Sequence, residues 1–198
     1  MAAGTITLKP IKVERIGVTI EGISPLIQHC WDEKSRRQMR EKKAGRKTKN
    51  IEACDPQAEA EAATYYTADG KNGVPVSALA KCIVGAAHKD IGVEKTLVRK
   101  SMFIECNDSR GVVEMTCSEP QIREDPVRVG AGSADLRYRP QFDTWSVDIT
   151  IEYNPDMITP DVIVNLINLA GFGVGIGEWR PEKGGDFGRF RVKGRDDA

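Results

Sequence analysis

The segment 144–153, TWSVDITIEY, sets Trp145, Val147, Ile149, Ile151 and Tyr153 in strict alternation with Ser146, Asp148, Thr150 and Glu152. Successive side chains of a β-strand point to opposite faces, so this period of two specifies a strand with one buried and one wet face. A second alternating run, 12–23, sets Ile16, Val18 and Ile20 against Gly17, Thr19 and Glu21. Two other segments follow the helical period instead. Leu79, Cys82, Ile83, Ala86 and Ala87 fall on one face of a helix over 76–89. Thr159 as N-cap, Pro160 at the first helical position, Asp161 in the first turn and an Ile158–Ile163 staple open another, which the glycines from Gly171 onward close. TLVRKSMFIEC, 96–106, reads as a strand, as does DFGRFRVK, 186–193, with Gly188, Phe190 and Val192 on one face and Phe187, Arg189, Arg191 and Lys193 on the other.

The element order is therefore strand, helix, strand, strand, helix, strand. This predicts an α+β fold with a ferredoxin-like βαββαβ core, two split βαβ units forming an antiparallel four-stranded sheet with both helices on one face. Two long insertions interrupt it, 24–74 after the first strand and 107–143 between the second and third. GVVEMTC, 111–117, adds a short strand to the second. With 198 residues and 40% of them hydrophobic, residues 1–198 suffice for a single domain around one core.

Composition removes several classes. The apolar run 163–170 is broken by Asn165 and Asn168 and falls short of the roughly 20 residues of a membrane span. The opening MAAGTITLKP lacks a basic n-region and an apolar h-region, so a cytoplasmic location is expected. Cys30, Cys54, Cys82, Cys106 and Cys117 make an odd set without a CxxC pair, and two histidines are too few to complete a zinc site, so neither a disulfide framework nor a structural metal is expected.

The 29 basic and 29 acidic residues cancel in sum but not in place. Residues 32–50 carry nine cations, Lys34, Arg36, Arg37, Arg40, Lys42, Lys43, Arg46, Lys47 and Lys49, against three acids, with Met39 as the one large apolar side chain. Such an arm has nothing to bury. Glu52, Asp55, Glu59 and Glu61 follow in an acidic helix entered through Asp55 as N-cap and Pro56. Arg180, Lys183, Arg189, Arg191, Lys193 and Arg195 make a second basic concentration near the end.

Between the second core helix and the last strand lies GFGVGIGEWRPEKGGDFGRF, with seven glycines in the eighteen residues 171–188. A turn of this kind can wrap a phosphate or let a neighbouring backbone approach closely. No GK[ST] follows it, and a dinucleotide fingerprint would need the glycines after a strand rather than after a helix.

A glycine-rich loop at this place in a βαββαβ domain resembles the RAMP superfamily, the CRISPR-associated RNA-binding proteins that include the guide-RNA backbone subunits. The likeness covers nearly the whole chain and extends to small free-standing proteins encoded by phages. It implies that the arm 32–50 and the segment 107–143 are the finger and thumb of a hand gripping RNA, that protomers stack side by side along the strand as a homo-oligomer, and that a phage-encoded relative works in the host cytoplasm.

The residues permit three functions. Nine cations on an arm can neutralise phosphates without reading sequence. Trp179, Arg180, Lys183, Arg189 and Arg191, with Arg137, Tyr138 and Arg139 of the second insertion, combine aromatic and cationic groups suited to single strands. Each also has a plainer reading: a solvated charged loop, a structural hairpin with Trp179 filling the domain edge, a protein contact. The polar third-strand face, Ser146, Asp148, Thr150 and Glu152, offers no stacking aromatics, which directs a strand to the loops and insertions rather than the sheet. The second function is metal-free RNA cleavage, as in some members of the superfamily, with His29 or His88 as the only histidine candidates and Tyr65, Tyr66 or Lys89 assisting. The third is a protein-interaction factor that binds no nucleic acid. No cofactor is implied by any of them.

Overall fold

The computed structural model describes residues 10–31, 40, 41, 43–45, 55–129 and 133–194. In chain order its elements are β1 (Glu14–Gly22), β2 (Leu26–Ile27), α1 (Pro56–Ala62), β3 (Gly73–Pro75), α2 (Val76–Ile91), α3 (Lys95–Ser101) and β4 (Met102–Ile104). There follow β5 (Val112–Glu114), β6 (Thr116–Cys117), β7 (Gln121–Val129), β8 (Ser133–Phe142), β9 (Trp145–Tyr153), α4 (Pro160–Gly173), a 3₁₀ turn (Pro181–Lys183) and β10 (Phe190–Val192).

The main sheet runs β10–β1–β9–β4 with every pair antiparallel, and β6 also pairs with β9. The register sets Ile16 opposite Ile151, Val18 opposite Ile149 and Ile20 opposite Val147, so the apolar alternations of β1 and β9 share one face. Leu79, Cys82, Ile83, Ala86 and Ala87 of α2 and Ile163, Leu166, Ile167 and Ala170 of α4 are buried in one core with those strand residues. Each such large aliphatic side chain contributes about 1.5–3 kcal/mol on burial. The other face is tied by charge: Arg15 bridges Glu105 and Glu152, Thr19 Oγ1 donates to Asp148 Oδ1 at 2.6 Å, and Arg191 meets Glu21 at 3.2 Å. Among the described residues no helix is long and apolar enough to cross a membrane.

Three sequence expectations need correction. Residues 96–106 are not one strand: Lys95–Ser101 is helical and only Met102–Ile104 is extended. Val98 and Ser101, three apart, bury one side of α3, Arg99 and Lys100 lie in its last turn where cations suit the helix dipole, and the Ser101 hydroxyl donates to Val98 O at 2.9 Å. The second core helix runs through Gly171 and Gly173 rather than stopping there. Gly171 is a packing residue, since a Cβ would overlap the Phe190 carbonyl of the strand that crosses α4. The last strand is confined to Phe190–Val192, leaving Phe187 in the preceding loop.

The described parts of the two insertions pack on each other. The first supplies β2 and α1, whose N-cap Asp55 accepts from the amides of Gln57 and Ala58. The second supplies the β7–β8 hairpin, and β2 joins it as a three-stranded sheet β2–β8–β7 on which α1 packs. The segment 111–117 forms two short strands, β5 on β3 and β6 on β9. The passage from β1 to β2 is fastened on several sides: Trp145 Nε1 donates to Ser24 O at 2.9 Å, Arg189 N to Ser24 Oγ at 2.9 Å and Gly188 N to Pro25 O at 2.8 Å.

Cys82 tests the position of α2. Its Sγ lies 3.2 Å from Gly175 O and 3.4 Å from Ala170 O, and burial pushes the thiol up to about 12. A thiol reagent at neutral pH is expected to label the half-buried Cys30, Cys106 and Cys117 and to reach Cys82 only on unfolding, read by mass spectrometry of the peptides.

Candidate nucleic-acid interface

The chain from α4 to β10 is held by its own backbone. Ile176 N donates to Gly188 O at 3.0 Å, Glu178 N to Ile27 O at 2.9 Å, Phe187 N to Trp179 O at 3.1 Å and Gly185 N to Arg180 O at 3.2 Å. Gly177, at φ +78°, faces the Ile27 carbonyl so closely that any Cβ would overlap it. These amides are occupied within the fold, so the glycines serve close backbone packing more than a phosphate cradle. Trp179 is the one non-glycine residue of positive φ among the described residues, at 51°, and the residue remains 42% exposed.

One face of the β7–β8 hairpin meets this segment through charge. Asp125 is buried and takes Arg123 Nε on Oδ1 at 2.8 Å and Arg139 Nη1 on Oδ2 at 3.3 Å. Arg123 also donates to Gln141 Oε1 at 3.2 Å and lies 4.8 Å over the Phe187 ring. The buried Arg139 Nε has no hydrogen-bond partner among the described residues. Glu178 stands across from this group, 3.4 Å from His29 Nδ1. The hydrogen bond from His29 holds its carboxyl below the usual range, against the opposing effect of burial, and the charges of Arg139 and Arg180 add to the lowering.

His29 and Glu178 edge a cleft of about 190 Å³ whose floor includes Leu26, Val74 and Ile176. Tyr65 lines it too, its hydroxyl donating to His29 O at 3.3 Å. Of the expected site residues, Arg180 also lines the cleft, bonded to Gly177 O at 3.0 Å and Glu182 Oε2 at 2.9 Å. Lys183 is exposed on the 3₁₀ turn. Arg189 lies 5.4 Å over the ring of Phe172, which is 70% exposed. Arg191 pairs with Glu21 on the sheet, Arg137 with Asp135 at 3.0 Å, and Tyr138 is half-buried opposite Glu124.

Arg139 is corrected from surface contact to buried partner of Asp125, because its position in β8 turns it inward. Arg40 and Lys43 are exposed, whereas Lys34, Arg36, Arg37, Lys42, Arg46, Lys47 and Lys49 lie outside the described residues. His88 is exposed near the end of α2, away from the lining of the cleft. Sequence reasoning passed over Glu178, Phe172, Arg123 and Asp125. The charge alternation of Arg123 and Asp125 reads as a wet strand face, and no local signal shows the loop that covers it. No group of three or more His, Cys, Asp or Glu able to hold a metal occurs among the described residues.

No protein-family model matches the sequence, and no curated protein does. Two solved structures align with it at low similarity. The crystal structure of Cmr6 from Pyrococcus furiosus aligns with a TM-score of 0.44 and 10% identity over 93% of this chain and 100% of that one. A chain in the cryo-EM structure of the Type III-B Cmr-beta bound to cognate target RNA aligns with a TM-score of 0.48 and 8% identity over 92% of this chain and 60% of that one.

The buried pair yields a stability test. Asp125→Ala leaves Arg139 charged and enclosed, with an expected loss of about 3–5 kcal/mol in urea unfolding, and replacing both partners by Asp125→Leu and Arg139→Met is expected to recover most of it.

Proposed function

We propose that this protein binds single-stranded nucleic acid, RNA in preference to DNA, with little sequence preference along most of the strand. The observation that carries the reading is the cationic and aromatic surface of the glycine-rich segment: Phe172, in the last turn of α4, is 70% exposed with Arg189 over its ring, and Trp179 in the loop that follows is 42% exposed. Aromatic faces stack bases of any identity, and cations beside them meet phosphates. The nine cations of 32–50 supply the sequence-independent attraction. The sheet face, laced by Arg15, Glu105 and Glu152, leaves the loops as the route for the strand.

The sheet order β10–β1–β9–β4 with α2 and α4 in one core supports a single domain, 1–198, with a ferredoxin-like centre of the RAMP kind. In this reading 24–74 and 107–143 are finger and thumb insertions, and protomers assemble side by side on the strand, in the cytoplasm of the host where the gene is a phage's. Binding of a labelled single strand is expected to weaken linearly in log–log salt dependence. Neutralising Arg36, Arg37, Arg40, Lys42 and Lys43 is expected to flatten that slope by roughly 3. Salt-indifferent behaviour with no strand bound would overturn the reading and favour a protein-interaction role.

The His29–Glu178 contact at 3.4 Å favours a second reading, metal-free cleavage of RNA with His29 moving the proton. Incubation with single-stranded RNA in chelator is then expected to give 2′,3′-cyclic phosphate ends, lost in His29→Ala. Intact RNA with the unmodified protein rules this reading out and leaves strand binding standing.

A further inference from the structure

We infer that the cleft between β2 and the glycine-rich segment is a slot for one guanine base, with the Glu178 carboxylate accepting from its Watson–Crick edge. The inference rests on the nucleic-acid reading above, and adds to it one position at which identity matters.

The cleft is apolar at its base, where Leu26, Val74 and Ile176 are 1–3% exposed, and Pro75 and Ala78 continue its wall. At about 190 Å³ it takes a fragment the size of a heterocycle rather than a whole nucleotide chain. Its polar groups are few and mostly committed. Gln28, 3% exposed, donates through Nε2 to Gly73 O at 2.9 Å and accepts the Tyr65 amide on Oε1 at 2.9 Å, so both ends of its amide are engaged in holding the fold. The Tyr65 hydroxyl is turned to the His29 carbonyl, and Arg180 is bound by Glu182 and Gly177. Glu178 remains: its side chain is 39% exposed at the mouth, it is kept ionised by its neighbours, and His29 fixes its orientation from one side.

An ionised carboxylate accepts hydrogen bonds and donates none. Beside an apolar floor it repels phosphate and selects a flat group that presents N–H donors. Guanine alone among the common bases carries two adjacent donors, N1–H and the N2 amine, on that edge. Adenine and cytosine set one amine beside a ring-nitrogen acceptor, and uracil sets one N–H between two carbonyls, so each brings lone pairs against the carboxylate. A base turned out of its strand into such a slot is read by its edge and by apolar contact with its faces.

The test uses labelled 12-mer uridine strands with guanosine, inosine or 7-deazaguanosine at one central position, and GMP as a free competitor, followed by anisotropy. The guanosine and 7-deazaguanosine strands are expected to bind about tenfold more tightly than all-uridine, and inosine, without the N2 amine, to fall between. Glu178→Gln, and separately Ala78→Leu, which narrows the slot from α2 and leaves the carboxylate in the sequence, are each expected to remove the guanosine advantage. GMP competing at the same residues identifies a site for free nucleotides as well as strands. Strands that bind with guanosine and uridine equal overturn the slot while leaving strand binding intact. Glu178-dependent GMP binding without any strand binding supports the slot and overturns the strand reading. Absence of both overturns both.

Discussion

Main-chain contact at van der Waals distance is what the architecture depends on. α4 must lie against β10, the segment after it must touch β2 and return on itself, and side chains at these points of approach would hold the backbones apart. Gly171 lets the Phe190 carbonyl lie against a helix, and Gly177 lets Glu178 N reach Ile27 O. Because those hydrogen bonds fix the direction of Glu178 and Trp179, the same packing that closes the core also sets the two side chains that face the cleft and the solvent. Trp179 accepts a backbone conformation unfavourable to a bulky residue, at φ 51°, because the bonds on either side of it determine the path.

The second organising element is electrostatic. Two arginines on one buried carboxylate, with one guanidinium nitrogen left without a partner among the described residues, is an expensive way to join a hairpin to a loop. A hydrophobic contact would tolerate sliding, whereas Arg123 must meet Asp125, Gln141 and Phe187 together. The arrangement therefore fixes one register between the inserted sheet and the loop, and the surplus positive charge of Arg139 lies where it helps Glu178 stay ionised.

Much of the framework is legible in the amino-acid order because periodicity is local. β1, β9, α2 and α4 each bury one face against the same core, so the pattern and the packing agree, and Asp55 with Pro56 announces α1 through its cap alone. α3 escapes because seven residues hold barely two turns and Thr96 and Val98 are β-branched, which makes a short helix look extended. β7 escapes because Pro126 interrupts it, tolerated on the outer strand of the sheet β2–β8–β7. The cleft is less legible still. Its walls come from residues 26–29, 65, 74–78 and 176–180, and nothing in any one of these stretches indicates that the others face it. The aromatic and basic residues near the end are visible as a composition, but Phe172 stands among glycines that read as the close of a helix, and Glu178 between a glycine and a tryptophan.

The passage from β1 to β2 carries a mechanical meaning. Ser24 and Pro25 are gripped by Trp145 from the main sheet and by Gly188 and Arg189 from the loop, so the two sheets share their bonds at the one place where a swivel would form. Torque applied to the hairpin is delivered to β9 and β10 instead of being lost in a slack joint.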